Sequence, residues 1–579
     1  MGIFEQRPWL KKYDEDVPES LIYPDVTLHH FLRESAQRVP DNPALITSAK
    51  LPLLGRRAHT TTYRALDELS DALATALMNI GLKKGDRVAI VMPNSVAFAI
   101  SFYAILKAGG VVAAANPTYP SDKMAYQIDD CDAEIVICMS LFYDLVKSIQ
   151  SRTKVKHVIV ANYKEYLPSI ARFLFTIARE KKDGHYVNSL KNNDYWFQDL
   201  LEKYAERKPD ITVDPDDLAL FQYTGGTTGV SKAAMATHRA LVANALQQEA
   251  FLTVDGVPGD EEVLLGAIPM FHVFGMVAVL SVGIYLGAQI VLVPNARDLD
   301  DLLDTINTFK PTLFHGVPAL YNAINNHPRV TSGDVELKSI RLCVSGSAPL
   351  LPATKQEFER FSGGVLLEGY GMSEAPCASH VNPVRGENRT GSIGLPLPDV
   401  EVKIVSLEDG TTELDINEIG ELIMTGPNLM KGYHGMPTET ANTLREIDGK
   451  VWLYSGDIAR MDEDGYFYIV DRKKDLALIG GFNVYPTEVE KVLKDHPSVL
   501  EVGVAAIPHP EKEGQEALKA WIVVKEGMSV TDQELIRHCE QHLAAYEVPR
   551  RYSFIDELPK TTVGKTLRRE LIRMEMESS

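Results

Sequence analysis

YTGGTTGVSKAAMATH, residues 223–238, decides how this chain is read. An apolar run at 218–223 has the pattern of a buried strand, and the segment from Thr237 onward carries Leu241, Val242, Ala245 and Leu246 at helical spacing. A Gly/Thr/Ser loop ending in Lys232 thus falls between a strand and a helix, where backbone amides can cradle phosphate. Gly225, Gly226 and Gly229 admit positive φ and close approach to an anion, Thr224, Thr227, Thr228 and Ser231 add hydroxyls, and Lys232 adds charge. It is not a Walker loop, because Ala233 follows the lysine where Ser or Thr would meet magnesium. Alone, such a loop reads equally well as a surface turn, so its companions decide.

Length and charge narrow the class. A chain of 579 residues is too long for one compact core, and 45% hydrophobic content fits a globular enzyme. A formal net charge of −20 argues against nucleic-acid partners and requires any polyanionic substrate to be met by local basic groups. Arg472, Lys473 and Lys474 form one such group, and the stretch from Arg550 to Arg573 forms a second. Cys131, Cys138, Cys343, Cys377 and Cys539 lack zinc-ligand pairing, which points to a reduced, cytoplasmic protein. The opening MGIFEQRPWLKKYDEDV has no apolar leader core, and Gln6 stands where a myristoylation signal has Ser or Thr. Residues 263–296 carry no Asp, Glu, Lys or Arg, yet Pro269, Gly275, Gly283 and Gly287 interrupt them; a buried helix-to-strand unit is expected there, not a membrane span.

Periodicity gives an α/β class. Strand-like 87–92, helix-like 96–107, then strand-like 111–115 and 134–138 are the alternation of a parallel sheet, and the pattern recurs from 218 and around 342–344. Short alternating runs between 380 and 470 predict a small β subdomain. The last hundred residues read as a separate α/β module with capping boxes at Thr487–Glu490 and Thr531–Glu534 and strands at 499–507, 517–524 and 551–555. The expected division is an N-terminal domain, 1–473, and a C-terminal domain, 474–579, hinged at 472–475. Residues 167–182 predict an amphipathic helix rimmed by Lys181 and Lys182, which either packs on its own domain or touches a membrane.

Six further motifs accompany the loop: MFHVFG at 270–275, SGSAPL at 345–350, GYGMSEA at 369–375, YSGDIA at 454–459, DRKKD at 471–475 and PKTTVGKTLRREL at 559–571. Together, over nearly the whole chain, they resemble the adenylate-forming superfamily of acyl-CoA synthetases, peptide-synthetase adenylation domains and beetle luciferases. The resemblance implies a multi-lobed N-terminal domain of two α/β subdomains plus the β subdomain, with a smaller mobile C-terminal domain. It implies ATP, Mg2+ and coenzyme A as cofactor and co-substrates. Nucleotide contacts are expected from the phosphate loop (Thr224, Gly225, Gly226, Thr227, Thr228, Gly229, Lys232), from Ser347 and Ala348, from Glu368, Gly369, Tyr370, Gly371, Met372 and Ser373, and from Asp457, Arg472 and Lys565.

Chemistry supports several of these roles. A carboxylate becomes a good acyl donor when it attacks the α-phosphorus of ATP, and that meeting of anions needs positioning and charge neutralisation. Glu374 is the expected magnesium ligand, with Thr224 the second, because a hard cation prefers oxygen. Asp457 suits both ribose hydroxyls, and Tyr370 can stack on adenine beside Gly369 and Gly371. By resemblance, His272 lies between the acyl carboxylate and the thiol route. Lys565 likewise neutralises charge during adenylation and is withdrawn by rotation about Lys474. Ser373 replaces the family's commoner Thr, and Val563 stands where Ser is frequent.

The reading is an acid:CoA ligase for medium to long fatty acids. The charge-free unit would line the acyl pocket, and both the insert helix and the opening WLKKYDEDVPESLIYPDVTLHHF, residues 9–31, are similar to bacterial long-chain ligases. Aryl acids, a carrier-protein acceptor and a nucleotide-binding scaffold without turnover remain alternatives, and the partner set leaves room for peripheral membrane contact and a homodimer.

Overall fold

The computed structural model describes residues 2–51, 55–191, 193–224, 231–252, 259–479, 482–509, 515–560 and 566–578. Its largest sheet has seven strands in the order Tyr195–Trp196, His157–Ala161, Ile135–Met139, Arg87–Val91, Val111–Ala114, Leu218–Thr224 and Lys232–Thr237. All neighbours are parallel except the last two. The alternation in the sequence dictates this layer. Helix Val96–Lys107 is buried at every residue, as an element apolar on all sides must be, and Ser95 caps it by accepting from the Phe98 amide at 3.2 Å.

The helix expected from Thr237 begins at His238, but Lys232–Thr237 ahead of it is not loop: it returns as an antiparallel strand, with Thr224 opposite Lys232. The two flanks of the phosphate motif are therefore antiparallel neighbours. Its Lys232 belongs to a strand, which fixes the direction of the side chain better than a loop would.

A second α/β lobe holds Val263–Gly266 and Gln289–Leu292 in parallel, with Pro43–Leu51 and Gly55–Thr62 completing that sheet. Leu313 bridges it to the parallel pair Leu342–Ser345 and Val365–Tyr370. The charge-free stretch forms the expected buried helix-to-strand unit. Its helix is π-wound over Gly275–Ser281 and α-helical over Val282–Leu286, and its strand is Gln289–Leu292. Only glycine fits at 275, since a Cβ there would lie 2.3 Å from the Pro269 carbonyl oxygen. Among the described residues, no helix is long and apolar enough to cross a membrane.

The small β subdomain is an antiparallel sheet of Glu401–Val405, Gly420–Thr425, Lys450–Met461, Leu444–Ile447 and Phe467–Arg472. Beyond it, Val499–Pro508, Glu516–Val524 and Arg551–Phe554 form a separate sheet under helices Pro486–Lys494 and Asp532–Glu540. The hydrophobic clusters of this module draw only on residues between 477 and 571. The capping box at Thr531 forms, with Glu534 reciprocating. The one at Thr487 does not. Pro486 starts that helix two residues earlier, Tyr485 becomes the cap position, and the Thr487 hydroxyl instead accepts from Arg568 at 2.7 Å.

The insert helix spans Ser169–Ala178. Ala171 and Phe175 turn inward to Leu51, Leu167 and Tyr163, while Ile170, Phe173, Leu174 and Ile177 stand exposed, Ile177 at 66%. The spacing 170, 173, 174, 177 is one helical face, so the broad apolar surface divides into a packed side and a bare one. All five cysteines are free and buried.

Candidate active site

Helix His238–Leu252 carries a polar edge inside the protein. The Asn244 amide donates to the Ala378 carbonyl at 2.6 Å and its carbonyl oxygen accepts from the Cys377 and Ala378 amides, while Gln248 braces it at 2.8 Å. That grip fixes the loop after strand Val365–Tyr370, which carries GYGMSEA. Gly371 is required by the loop itself, because a Cβ there would overlap the Cys377 carbonyl oxygen at 1.8 Å. Its freedom serves the backbone crossing, a different reason from the close approach to adenine expected from sequence.

Tyr370, at the strand's end, donates its hydroxyl to the Asp457 carboxylate at 2.6 Å, and the Arg472 guanidinium meets the same carboxylate at 3.2 Å. Asp457 and Arg472 face each other across adjacent strands, so sheet register holds this pair. Asp457 is 6% exposed. Burial and the neighbouring Asp457 push the Tyr370 phenol well up, which keeps it a donor. Glu368, two residues earlier, accepts from the Leu350 amide at 3.2 Å and so ties this strand to the SGSAPL turn, in which Ser347 takes a left-handed φ of 72°. Burial raises its carboxyl to about 7.

Ser347, Gly369, Tyr370, Gly371 and Met372 line one cavity with His272, Val273, Phe274, Ala278 and His315. One wall is the set expected to hold the nucleotide and the other is the start of the charge-free unit. Burial holds the His272 and His315 imidazoles down at about 4, so both are neutral near pH 7. The His272 Nδ1 accepts from the Phe274 amide at 3.4 Å, which leaves its Nε2 to carry the proton. His315 was not singled out from sequence, although a histidine between the apolar run TLF and Gly316 repeats the pattern of the other site turns.

Glu374 is partly exposed; its Oε1 accepts from the Tyr433 hydroxyl at 2.7 Å, and its Oε2 meets no donor among the described residues. An open carboxylate oxygen fits a hard cation. Thr224 ends its strand opposite Lys232, which pairs with Glu439 and lies 5.1 Å above the Tyr433 ring. Ala348 and Ser373 are half-buried beside these segments. Gly225, Gly226, Thr227, Thr228, Gly229 and Lys565 lie outside the described residues. Burial together with Arg472 lowers the Lys474 ammonium. Tyr433, Glu439 and Asn244 escaped sequence reasoning because each acts through a tertiary contact and belongs to no phosphate-like pattern.

The chain belongs to the AMP-binding enzyme family. That family matches residues 32–434, and the AMP-binding enzyme C-terminal domain matches residues 488–565. The chain is 39% identical over 576 residues to a long-chain-fatty-acid CoA ligase of Bacillus subtilis (strain 168), covering 99% of each. It is 37% identical over 579 residues to a long-chain-fatty-acid CoA ligase of Escherichia coli O157:H7, covering 98% of each. Among solved structures, ATP-bound MatB from Rhodopseudomonas palustris matches with a TM-score of 0.80 at 29% identity, covering 96% of this chain and 100% of that one.

Proposed function

We propose that this chain is an ATP-dependent fatty acid:CoA ligase that makes acyl-AMP and then acyl-CoA. The observation that carries this reading is the single cavity whose walls come from the Ser347 and Gly369–Met372 segments on one side and from Val273, Phe274 and Ala278 on the other. The near-full-length likeness to long-chain ligases supports the fatty-acid substrate.

In the first half-reaction a carboxylate oxygen bonds to the α-phosphorus, the bond to the bridging oxygen breaks, and pyrophosphate leaves. In the second, the thiol sulfur of coenzyme A attacks the acyl carbon, losing its proton, and AMP departs with that carboxylate oxygen. Magnesium, when bound, supplies charge that neutralises phosphate oxygens, and Glu374 and Thr224 would hold it. Asp457 exchanges the Tyr370 hydroxyl for ribose hydroxyls, and Arg472 stays on the other side of its carboxylate. Tyr370 supplies a ring face to adenine. Neutral His272 offers an Nε2 proton to the acyl carboxylate without adding a second cation. Lys232 meets the outer phosphates.

Residues 1–473 and 474–579 act as the two domains, and Lys565 reaches the site only in the adenylating arrangement. Separate cores on either side of Lys474 support such a rotation. The reading includes a cytoplasmic enzyme that touches the inner face of an anionic membrane. Support for that contact is the bare face Ile170, Phe173, Leu174 and Ile177, next to Lys181 and Lys182, which are exposed and meet no carboxylate among the described residues.

Release of pyrophosphate across a panel of acids, with and without coenzyme A, tests the function. Long-chain acids should give the fastest release, with coenzyme A required for sustained turnover. Release that is fastest on benzoate, or sustained turnover without coenzyme A, would overturn the assignment.

A further inference from the structure

Lys232 and Glu374 approach the phosphate region from different segments, and a third segment, 430–440, joins them. Its backbone lies along the free edge of strand Lys232–Thr237: the Lys431 amide donates to the Met235 carbonyl at 2.8 Å, Met235 returns to Gly432 at 2.9 Å, and His434 donates to Ala233 at 2.9 Å. At its start the Met430 amide donates to the Glu374 carbonyl at 2.9 Å. Tyr433, 7% exposed, sends its hydroxyl to the Glu374 carboxylate and offers its ring face to the Lys232 ammonium. Its amide donates to the Thr440 hydroxyl at 2.9 Å, which fastens the segment to helix Pro437–Thr443. Glu439, in that helix's first turn, forms the ion pair with Lys232.

We propose that Glu439 is an internal stand-in for phosphate on Lys232, carried on the Tyr433 brace, which yields the lysine to the outer phosphates of ATP and reclaims it as pyrophosphate leaves. This rests on the ligase reading and adds to it a positioning residue that sets the affinity for the leaving group.

Charge and exposure decide the direction. The Lys232 side chain is 13% exposed, so an unpaired ammonium there would be poorly solvated, and Glu439 neutralises it. Glu439 is 39% exposed, so it returns to water easily once displaced. An incoming triphosphate therefore exchanges one ion pair for another, which limits its net gain and keeps pyrophosphate from being held. AMP carries no outer phosphate and does not compete with Glu439.

Glu439→Gln keeps the shape and removes the charge. In the presence of Mg2+, calorimetric binding of α,β-methylene-ATP and of pyrophosphate should become about fivefold tighter, the size of a partly exposed ion pair. AMP binding should be unchanged, and Glu439→Asp should restore the wild-type affinities. A structural role alone would move AMP and the analogue together. Unchanged or weaker analogue binding in a folded Glu439→Gln protein, or equal tightening of AMP, overturns the stand-in while leaving the ligase reading intact. Failure of the wild type to bind any of the three nucleotide or pyrophosphate probes overturns both.

Discussion

Glu368 is a carboxyl buried where the nucleotide strand meets the SGSAPL turn, and its environment gives it a measurable pH signature. Burial raises its folded value from 4.5 to about 7. Below about 4.5 both folded and unfolded chains hold the proton; as pH rises toward 7 the unfolded chain releases it and the folded one keeps it. Its contribution to stability is therefore full at low pH and is lost as pH climbs through that window, by about 3 kcal/mol in all. Glu368→Gln cannot lose a proton. Denaturant unfolding at pH 5 and pH 8 should show the Gln variant gaining on wild type with rising pH, whereas parallel profiles would contradict the buried, protonated Glu368. At this scale the sequence singled out residues that sit in short motifs, and the structure brings two of them, Tyr370 and Asp457, within hydrogen-bonding distance. Tyr433 and Glu439 were illegible because their meaning lies in a strand 200 residues away.

At the scale of elements, legibility followed the source of each element's stability. Val96–Lys107 and Arg87–Val91 were readable because apolar content and spacing alone bury them. Lys232–Thr237 was not. Its Ala-Ala-Met-Ala core has weak strand preference, and it is a strand because Leu218–Thr224 and segment 430–434 pair with its two edges. The helix at Pro486 shows a local rule overruled by proline at its first position and by Arg568. The insert helix was legible as a helix, but which face it buries depended on Leu51 and Leu167, far off in sequence or outside its own turn pattern. Its bare face predicts that Phe173, Leu174 and Ile177 changed together to Ser abolish co-sedimentation with anionic vesicles while activity on a short soluble acid is kept. Absence of wild-type binding to those vesicles would mean that the face has another purpose.

At the scale of the whole molecule, Arg568 marks what the proposed rotation would have to break. Its guanidinium meets Asp471 at 3.0 Å on one side of Lys474, and Asp475 at 3.1 Å and Glu490 at 2.8 Å on the other. Turning the C-terminal module about Lys474, as proposed, would separate the first pair and keep the other two. The polar run 471–475 was visible in the sequence between apolar ones; the Arg568 contacts to it were not, since the partners lie about a hundred residues apart. If one lysine serves one half-reaction, Lys565→Ala should stop adenylate formation yet still convert supplied acyl-AMP and coenzyme A to thioester. Equal loss of both in a well-folded variant would favour a static site. The central claim, that the carboxylate is activated as its adenylate, is tested most directly by following oxygen. With palmitate labelled with oxygen-18 in both carboxyl positions, ATP and coenzyme A, one labelled oxygen should appear in AMP and one should stay in the thioester carbonyl. Label in pyrophosphate or orthophosphate, or unlabelled AMP beside newly formed thioester, would contradict the account.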